Sequence, residues 1–308
     1  MKQLKNLNLI FLIIFLSSCQ PAFLLKEQSK SLSDFSYTTW VLPEKIDEIS
    51  GLEYVVDGFY GFNDSGGEPE IYKFITRDNA EIVQTIQLSN AKNVDWEEMA
   101  LSEQHIFVGD FGNNRGKRED LKVYYFPKST LNQNSIQEVK VDSIDFFYPE
   151  QESFDVQLHN HDFDLEAMQY FDKKLHLFTK SWKTQRTKHY TLDIVQGKQP
   201  AWLVEEQDLN FMITGADIFT LNDKYSRLGL VGYTMEGDVY LLLTDFSNKN
   251  KKWLDSPKTL IHLGFAGNVG QVEGISIISQ TEVCFSAESI QMEGKSTDQN
   301  LTCIFLKL

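Results

Sequence analysis

The sequence predicts an all-β protein, a five-bladed β-propeller whose last blade is closed by an N-terminal strand. Three observations predict this fold: a short phrase that recurs five times, four short β-rich runs in most repeats, and one β-rich run near the N-terminus that belongs to no repeat. A single four-stranded sheet cannot bury both of its faces, so repeats of this kind pack around a common axis.

The recurring phrase is an acidic or small residue, then Gly, Ala or Glu, then an apolar residue. Successive copies stand 47, 69, 50 and 57 residues apart, close to the roughly 40 to 50 residues of a four-stranded blade. The residues on which we align them are Ser50, Glu97, Glu166, Ala216 and Glu273. The long second interval leaves room for a sixth blade, and a six-bladed ring is the alternative architecture.

Each of the first four repeats contains four runs of strand-forming residues separated by turn residues. The fifth repeat contains only three such runs. The run at 35–42 has no repeat of its own, and its pairing with the fifth repeat would remove an open sheet edge. We therefore expect this run to close the ring. The aromatic fraction of 13% predicts that large flat side chains fill the gaps between blades.

Residues 1–18 have the features of a secretory signal: two lysines, a short apolar core and small residues at its end. Cys19 directly follows and resembles the lipidated cysteine of a bacterial lipobox, although a cleaved signal with an incidental cysteine is the alternative. We expect a lipidated tether at 19–33 and a single propeller domain at 34–308. No acidic residue follows Cys19 at once, so we expect an outer-membrane lipoprotein that faces the periplasm, with surface exposure as the other orientation.

The formal net charge of −15 becomes about −17 once the signal and its two lysines are removed. So acidic a body is repelled by nucleic acid and by anionic lipid, which argues against a nucleic-acid-binding protein. We expect contact with the membrane only through the lipid anchor, and a monomer. Cys284 and Cys303 lie in two apolar runs that should be neighbouring strands, so they form either a cross-strand disulfide or two buried thiols.

Carboxylates open the first strand of several repeats or follow the second strand, and these two points meet at one end of an antiparallel hairpin. If the first strands line the central channel, the carboxylates gather at one mouth. Crowded carboxylates resist ionisation unless a cation offsets them, and oxygen ligands without His or Cys suit calcium or magnesium. The candidate metal ligands are Glu48, Asp64, Asp95, Glu97, Asp110, Asp164, Glu166, Glu273 and Glu288. The alternative is structural: each carboxylate accepts hydrogen bonds from the adjacent blade and locks the ring.

Basic residues leave the second and third repeats in loops that start at the same mouth. They predict a rim that could hold an anionic ligand such as a phosphate ester. The candidate anion-binding residues are Arg115, Arg118, Lys180, Lys183 and Arg186.

The motifs at the mouth resemble those of the SdiA-regulated and phytase-like propeller group across nearly the whole mature chain. The matching segments are 48–52 with 63–66, 95–97 with 109–115, 164–167 with 179–180, 214–217, and 273–275 with 286–288. The resemblance implies a calcium-associated propeller in the cell envelope, with esterase or phytase-like activity in some relatives.

Three functions follow as hypotheses. The first is an envelope lipoprotein whose mouth binds a divalent cation and an anionic or protein ligand. The second is a calcium-dependent phosphoesterase that uses metal-activated water, with Lys180 and Arg115 on the phosphate. Its metal ligands would be Glu97, Asp110, Glu166 and Glu273. The third is a non-catalytic interaction scaffold.

Overall fold

A computed structural model describes residues 28–292 and 295–306, and these residues form a five-bladed β-propeller. The signal peptide, Cys19 and the first part of the predicted tether lie outside the described residues. Each blade is an antiparallel sheet of four strands, and three blades have a fifth strand at the outer edge. Among the described residues, no helix has the length and apolar character that a membrane span requires.

Each blade has its innermost strand at the axis, and its other strands follow outward in order. The first blade consists of β3 (Ile49–Val55), β4 (Gly58–Asn63), β5 (Glu70–Thr76), β6 (Ala80–Leu88) and β10 (Ile136–Val139). The second consists of β7 (Trp96–Leu101), β8 (His105–Asp110), β9 (Lys122–Pro127), β11 (Asp142–Phe147) and β15 (Gly197–Pro200). The third consists of β12 (Leu165–Phe171), β13 (Lys174–Thr179), β14 (Arg186–Asp193) and β16 (Trp202–Asp208).

The fourth blade consists of β17 (Met212–Thr220), β18 (Tyr225–Tyr233), β19 (Asp238–Ser247), β20 (Lys258–Phe265) and β1 (Gln28–Ser31). The fifth consists of β21 (Gln271–Ser279), β22 (Glu282–Glu288), β25 (Asn300–Phe305) and β2 (Ser36–Val41). The remaining elements are a small hairpin, β23 (Gln291–Met292) and β24 (Lys295–Ser296), the helix α1 (Ala266–Val269), and 3₁₀ turns at Leu32–Asp34 and Lys128–Thr130.

The N-terminal strand closes the ring as predicted, because β2 pairs antiparallel with β25 from Ser36 opposite Phe305 to Val41 opposite Asn300. The inner strands β3, β7, β12, β17 and β21 each contact the inner strands of both neighbouring blades. A sixth blade is therefore excluded within the described residues. The long second interval instead supplies β10 and a loop at 148–164.

Three outer strands were not predicted, and each links two blades. The strand β10 precedes β11, the outer strand of the second blade, but it pairs in parallel with β6 of the first blade. In the same way, β15 precedes β16 of the third blade and pairs in parallel with β11 of the second. The strand β1 pairs in parallel with β20 of the fourth blade just before β2 enters the fifth. This corrects the predicted tether, since 28–31 belong to a sheet.

Buried apolar side chains of the described residues fall into five clusters, one at each interface between neighbouring blades. Aromatic rings bridge the blades, as predicted: Phe62 meets Trp96 edge-on at 5.3 Å between the first and second blades. The cluster that joins the fifth blade to the first contains Cys284 and Cys303. These residues are directly opposite each other on β22 and β25, and their sulfur atoms form a disulfide.

Candidate metal site at the channel mouth

A β-bulge occurs at the same place in all five hairpins formed by the first and second strands of the blades. It redirects the side chain of one residue in each inner strand. Near the mouth, the pairing between the first and second strands skips one residue in every blade. A bulge leaves that residue out of the ladder and redirects its side chain. The skipped residues are Gly51, Glu97, Glu166, Thr214 and Glu273.

This register corrects the sequence alignment in two blades. The first blade places Gly51 at the bulge rather than Ser50, and the fourth places Thr214 rather than Ala216. Neither residue supplies a carboxylate. The Oγ1 hydroxyl of Thr214 instead donates a hydrogen bond to the carbonyl of Val272 in the next blade at 2.5 Å. The bulges of the first and fourth blades therefore contribute no carboxylate to the mouth.

Asp64, Asp95 and Glu97 form a tight acidic group at the mouth. One carboxylate oxygen from each lies within 4.8 Å of the others. The Oδ1 atom of Asp64 and the Oε1 atom of Glu97 are buried without a hydrogen-bond partner among the described residues. Gly112 lies against this group, since a Cβ atom at that position would stand 1.9 Å from Oε1 of Glu97. Buried oxygens that lack donors are suited to a cation.

Burial and mutual repulsion hold the carboxyl groups of the mouth partly protonated. Burial, followed by the charges of Asp95, Glu273 and Glu48, raises the pKa of Asp64 to about 8. Burial and then Asp164 raise the pKa of Asp95 to about 6. The pKa of Glu97 is well above its usual range because of burial and then its acidic neighbours. A bound cation would favour the ionised form of all three groups.

A second acidic group at the mouth already has a cation of its own. Lys180 is buried, and its Nζ lies 3.2 Å from Oε2 of Glu166. The ammonium group also lies 4.9 Å from the ring centre of Trp182 and 5.2 Å from that of Tyr233. Burial opposes its charge, but Glu166, Tyr233 and Glu273 outweigh this effect and raise the pKa of Lys180. Lys180 therefore offsets part of the charge of Glu166 and Glu273, while Oε1 of Glu166 and Oε2 of Glu273 are themselves buried without a hydrogen-bond partner among the described residues.

Two of the predicted metal ligands have structural partners. Asp164 accepts hydrogen bonds from the backbone N–H of Asn113 and from Nε1 of Trp182, both at 2.6 Å. Asp110 accepts a salt bridge from Nη2 of Arg118 at 2.8 Å. The bond from Asn113 joins the second blade to the third, so Asp164 follows the structural alternative.

The last two predicted ligands lie at the edge of the mouth. Glu48 is exposed, and its backbone carbonyl accepts a hydrogen bond from the N–H of Asp64 at 2.8 Å. Glu288 is half-buried, and burial followed by the charges of Glu273 and Asp64 raises its pKa to about 9. Both residues therefore face the acidic groups but lie outside the tight set of three.

The predicted anion-binding residues do not form one site. Arg118 and Lys180 are paired with carboxylates, and Arg186 pairs through Nε with Oε1 of Glu206 at 2.6 Å, on the outer strands of the third blade. Arg115 and Lys183 are exposed. The Lys180 and Arg115 pair that the phosphoesterase hypothesis needs would require Lys180 to leave Glu166.

Sequence reasoning missed a second polar layer below the mouth. Oε2 of Glu98 accepts a hydrogen bond from the N–H of Ala216 at 3.1 Å, which joins the second blade to the fourth across the channel. Nε2 of Gln169 donates to Oε1 of Glu53 at 3.1 Å, which joins the third blade to the first. The available signal was the pair Glu97-Glu98, because a bulge turns two consecutive residues toward the same side.

No protein-family model and no curated protein matches the chain. A GH43 β-1,3-galactosidase solved with galactodeoxynojirimycin has a similar structure, with a TM-score of 0.45, 10% identity, and coverage of 86% of this chain and 92% of that one. A putative oxidoreductase (glucose dehydrogenase) from Thermus thermophilus has a TM-score of 0.46, 8% identity, and coverage of 88% and 100%.

A protein of unknown function from Dyadobacter fermentans has a TM-score of 0.42, 7% identity, and coverage of 87% and 98%. Similarities at this level carry no inference about chemistry. The fold follows from the chain's own sheets. The resemblance to SdiA-regulated and phytase-like propellers stays a prediction.

Proposed function

We propose that this protein is a cell-envelope lipoprotein whose propeller mouth binds a divalent cation, calcium, through Asp64, Asp95 and Glu97. The observation that carries the proposal is the convergence of these three carboxylates within 4.8 Å, with two oxygens buried and without partners among the described residues. Buried carboxylates without hydrogen-bond donors or a counter-charge destabilise a folded protein, and a bound cation removes this destabilisation.

The donor set fits calcium. Calcium takes oxygen ligands at roughly 2.3 to 2.6 Å, so two ligands of one ion stand no more than about 5 Å apart. The three carboxylates satisfy this limit. They would hold the ion on one side, and solvent or a ligand's own oxygens would complete its shell. An anionic or protein ligand that supplies such oxygens would therefore bind together with the ion.

Calorimetry on the purified domain tests the cation site. We expect saturable binding of Ca²⁺, weaker binding of Mg²⁺, and loss of both in a Glu97→Gln variant, with an exposed Glu81→Gln variant as the matched control. Absence of Ca²⁺ binding in the wild-type domain would remove the proposal.

The lipoprotein part of the proposal rests on residues 1–19 of the sequence. It is tested by metabolic labelling of the full chain with a fatty acid. We expect label in the wild type and none in a Cys19→Ser variant. Label retained in that variant, or none in the wild type, would contradict lipidation at Cys19. Fractionation with protease shaving of intact cells then separates a periplasmic from a surface location.

A further inference from the structure

Asn93 connects the two blades that supply the acidic group at the mouth. It lies in the loop between β6 and β7 and is only 9% exposed. Its Nδ2 group donates one hydrogen bond to the carbonyl of Asn63 at 2.9 Å and another to the carbonyl of Asp64, at the end of β4 in the first blade. Its Oδ1 atom accepts a hydrogen bond from the N–H of Trp96 in the second blade at 3.3 Å. One side chain therefore bridges the two sides of the cation site.

The side-chain amide of Asn93 is suited to this position. Both hydrogens of its NH₂ group face carbonyl oxygens, and its oxygen faces an N–H group. A carboxylate at position 93 would lack the two donors and would add a negative charge beside Asp64 and Asp95. The amide therefore links the blades without adding to the repulsion at the mouth.

The backbone of two ligand residues is held on both sides by the protein itself. The N–H of Asp64 donates to the carbonyl of Glu48 at 2.8 Å, and its carbonyl accepts from Asn93. The N–H of Asp95 donates to Oδ1 of Asp110 at 3.2 Å, and its carbonyl accepts from two N–H groups of the turn after β8. The distance between these two ligands is therefore set by hydrogen bonds within the protein, and Asn93 supplies bonds that cross from one blade to the other.

The residue that anchors Asn93 in the second blade is itself fixed. Trp96 is fully buried, and its Nε1 donates to the carbonyl of Lys92 at 3.0 Å. Trp96 lies between Asp95 and Glu97 in the chain, so Asn93 is tied to the second blade at the point from which both ligands extend.

We propose that Asn93 is a positioning residue that sets the spacing of the cation site and thereby its preference for Ca²⁺ over Mg²⁺. The inference rests on the cation site of the proposed function. Ca²⁺ accepts oxygen ligands at roughly 2.3 to 2.6 Å in a flexible geometry, whereas Mg²⁺ requires about 2.0 to 2.1 Å and a near-ideal octahedron. Contraction around Mg²⁺ would require Asp64 to move relative to the second blade, and the hydrogen bonds of Asn93 resist that movement. Groups that orient metal ligands in this way strongly affect metal affinity.

Calorimetric titration with CaCl₂ and with MgCl₂ tests the inference on the wild type, Asn93→Ser and Asn93→Leu. Ser is too short to bridge the blades, and Leu has a similar size but cannot form the hydrogen bonds. In both variants the affinity for Ca²⁺ should fall about tenfold or more, because the ligands are no longer held in place. The affinity for Mg²⁺ should fall less, so the ratio of the two affinities should fall as well.

Asn90→Ser is the matched control. Asn90 lies in the same loop, and its side-chain amide bonds to both backbone groups of Val141, at 2.9 Å each. Its loss loosens the loop without breaking a contact to Asp64 or Trp96. This variant should therefore keep the wild-type ratio of Ca²⁺ to Mg²⁺ affinity.

The outcomes separate this inference from the cation site itself. An unchanged affinity ratio in both Asn93 variants would overturn the inference and leave the cation site in place, and so would an equal fall in Asn90→Ser. Thermal unfolding in EDTA is recorded for each protein. If neither Asn93 variant folds while Asn90→Ser does, Asn93 serves the blade interface and the inference is wrong. Absence of Ca²⁺ binding in the wild type would remove the cation site and this inference together.

Discussion

Replacement of Glu97 by Gln should remove the stabilisation that calcium gives to the protein. Gln has nearly the same size and shape as Glu, so the change removes a carboxyl group that can ligate calcium without opening a cavity. In the absence of calcium, burial and the acidic neighbours disfavour the ionised form of Glu97, so the variant should be as stable as the wild type or more stable. In the presence of calcium, the variant should gain little.

The repulsion that calcium would relieve follows from the distances between the carboxylates at the mouth. Two ionised carboxylate oxygens within 4.8 Å of each other repel by at least about 3.5 kcal/mol at an effective dielectric constant near 20. Glu97 has two such neighbours, Asp64 and Asp95, so full ionisation without a cation costs several kcal/mol. Calcium at one hundred times its dissociation constant stabilises the folded state by about 2.7 kcal/mol. For a domain of this size this corresponds to a rise in Tm of roughly 5 °C.

The assay is thermal unfolding followed by circular dichroism, with EDTA and with saturating CaCl₂, for the wild type, Glu97→Gln and the exposed control Glu81→Gln. We expect Tm to rise on calcium addition in the wild type and in Glu81→Gln only. An equal rise in all three proteins would mean that calcium binds elsewhere, and the assignment to Glu97 would be wrong.

Three further results are expected. Gly112→Ala should abolish calcium binding by calorimetry, because its Cβ would overlap a ligand carboxylate, whereas Gly67→Ala should not, because its Cβ would come no closer than 3.9 Å to Nδ2 of Asn93. Replacing Cys284 and Cys303 by Ser should lower the free energy of unfolding in urea by about 3 kcal/mol, because the disulfide closes a loop with a sequence separation of 19; an equal loss on reduction of the wild type is the check. Burial lowers the pKa of His176 to about 3. The stability that neutral His176 contributes is therefore fully present above pH 6.5 and is lost as the pH falls toward 3. Between pH 7.5 and 5 the wild type should lose about 2 kcal/mol more than His176→Phe, and equal losses would contradict this reasoning.

The fold was predictable from the sequence because each blade repeats the same local sequence features. Strand-forming runs, turn residues and an acidic phrase recur at intervals that match one blade, and the unmatched run at 35–42 had one open edge to join. The strands β10, β15 and β1 were not predictable in the same way. They are four residues long and pair in parallel with strands of another blade. Their position is set by the completed ring rather than by local preference.

The carboxylates of the candidate site were predictable as a set. Which of them accept hydrogen bonds from the protein, and which are available to a cation, was not predictable. The positions of Glu97, Glu166 and Glu273 follow from the repeat, since all three occupy the same bulge. Whether a carboxylate is available to a cation depends on which donors reach it. Asp164 receives an indole N–H and a backbone N–H from another blade, and the sequence carries no sign of that competition.

Lys180 is the residue that divides the mouth into two parts. It stands beside Glu166 and carries a charge that Glu166, Tyr233 and Glu273 all favour, so it offsets part of the negative charge on that side of the ring. On the other side, Asp64, Asp95 and Glu97 have no such ammonium group in contact among the described residues. The polar layer of Glu98 and Gln169 lies below both parts and bridges the channel. A cation held by these three carboxylates would therefore lie off the axis, against the first and second blades.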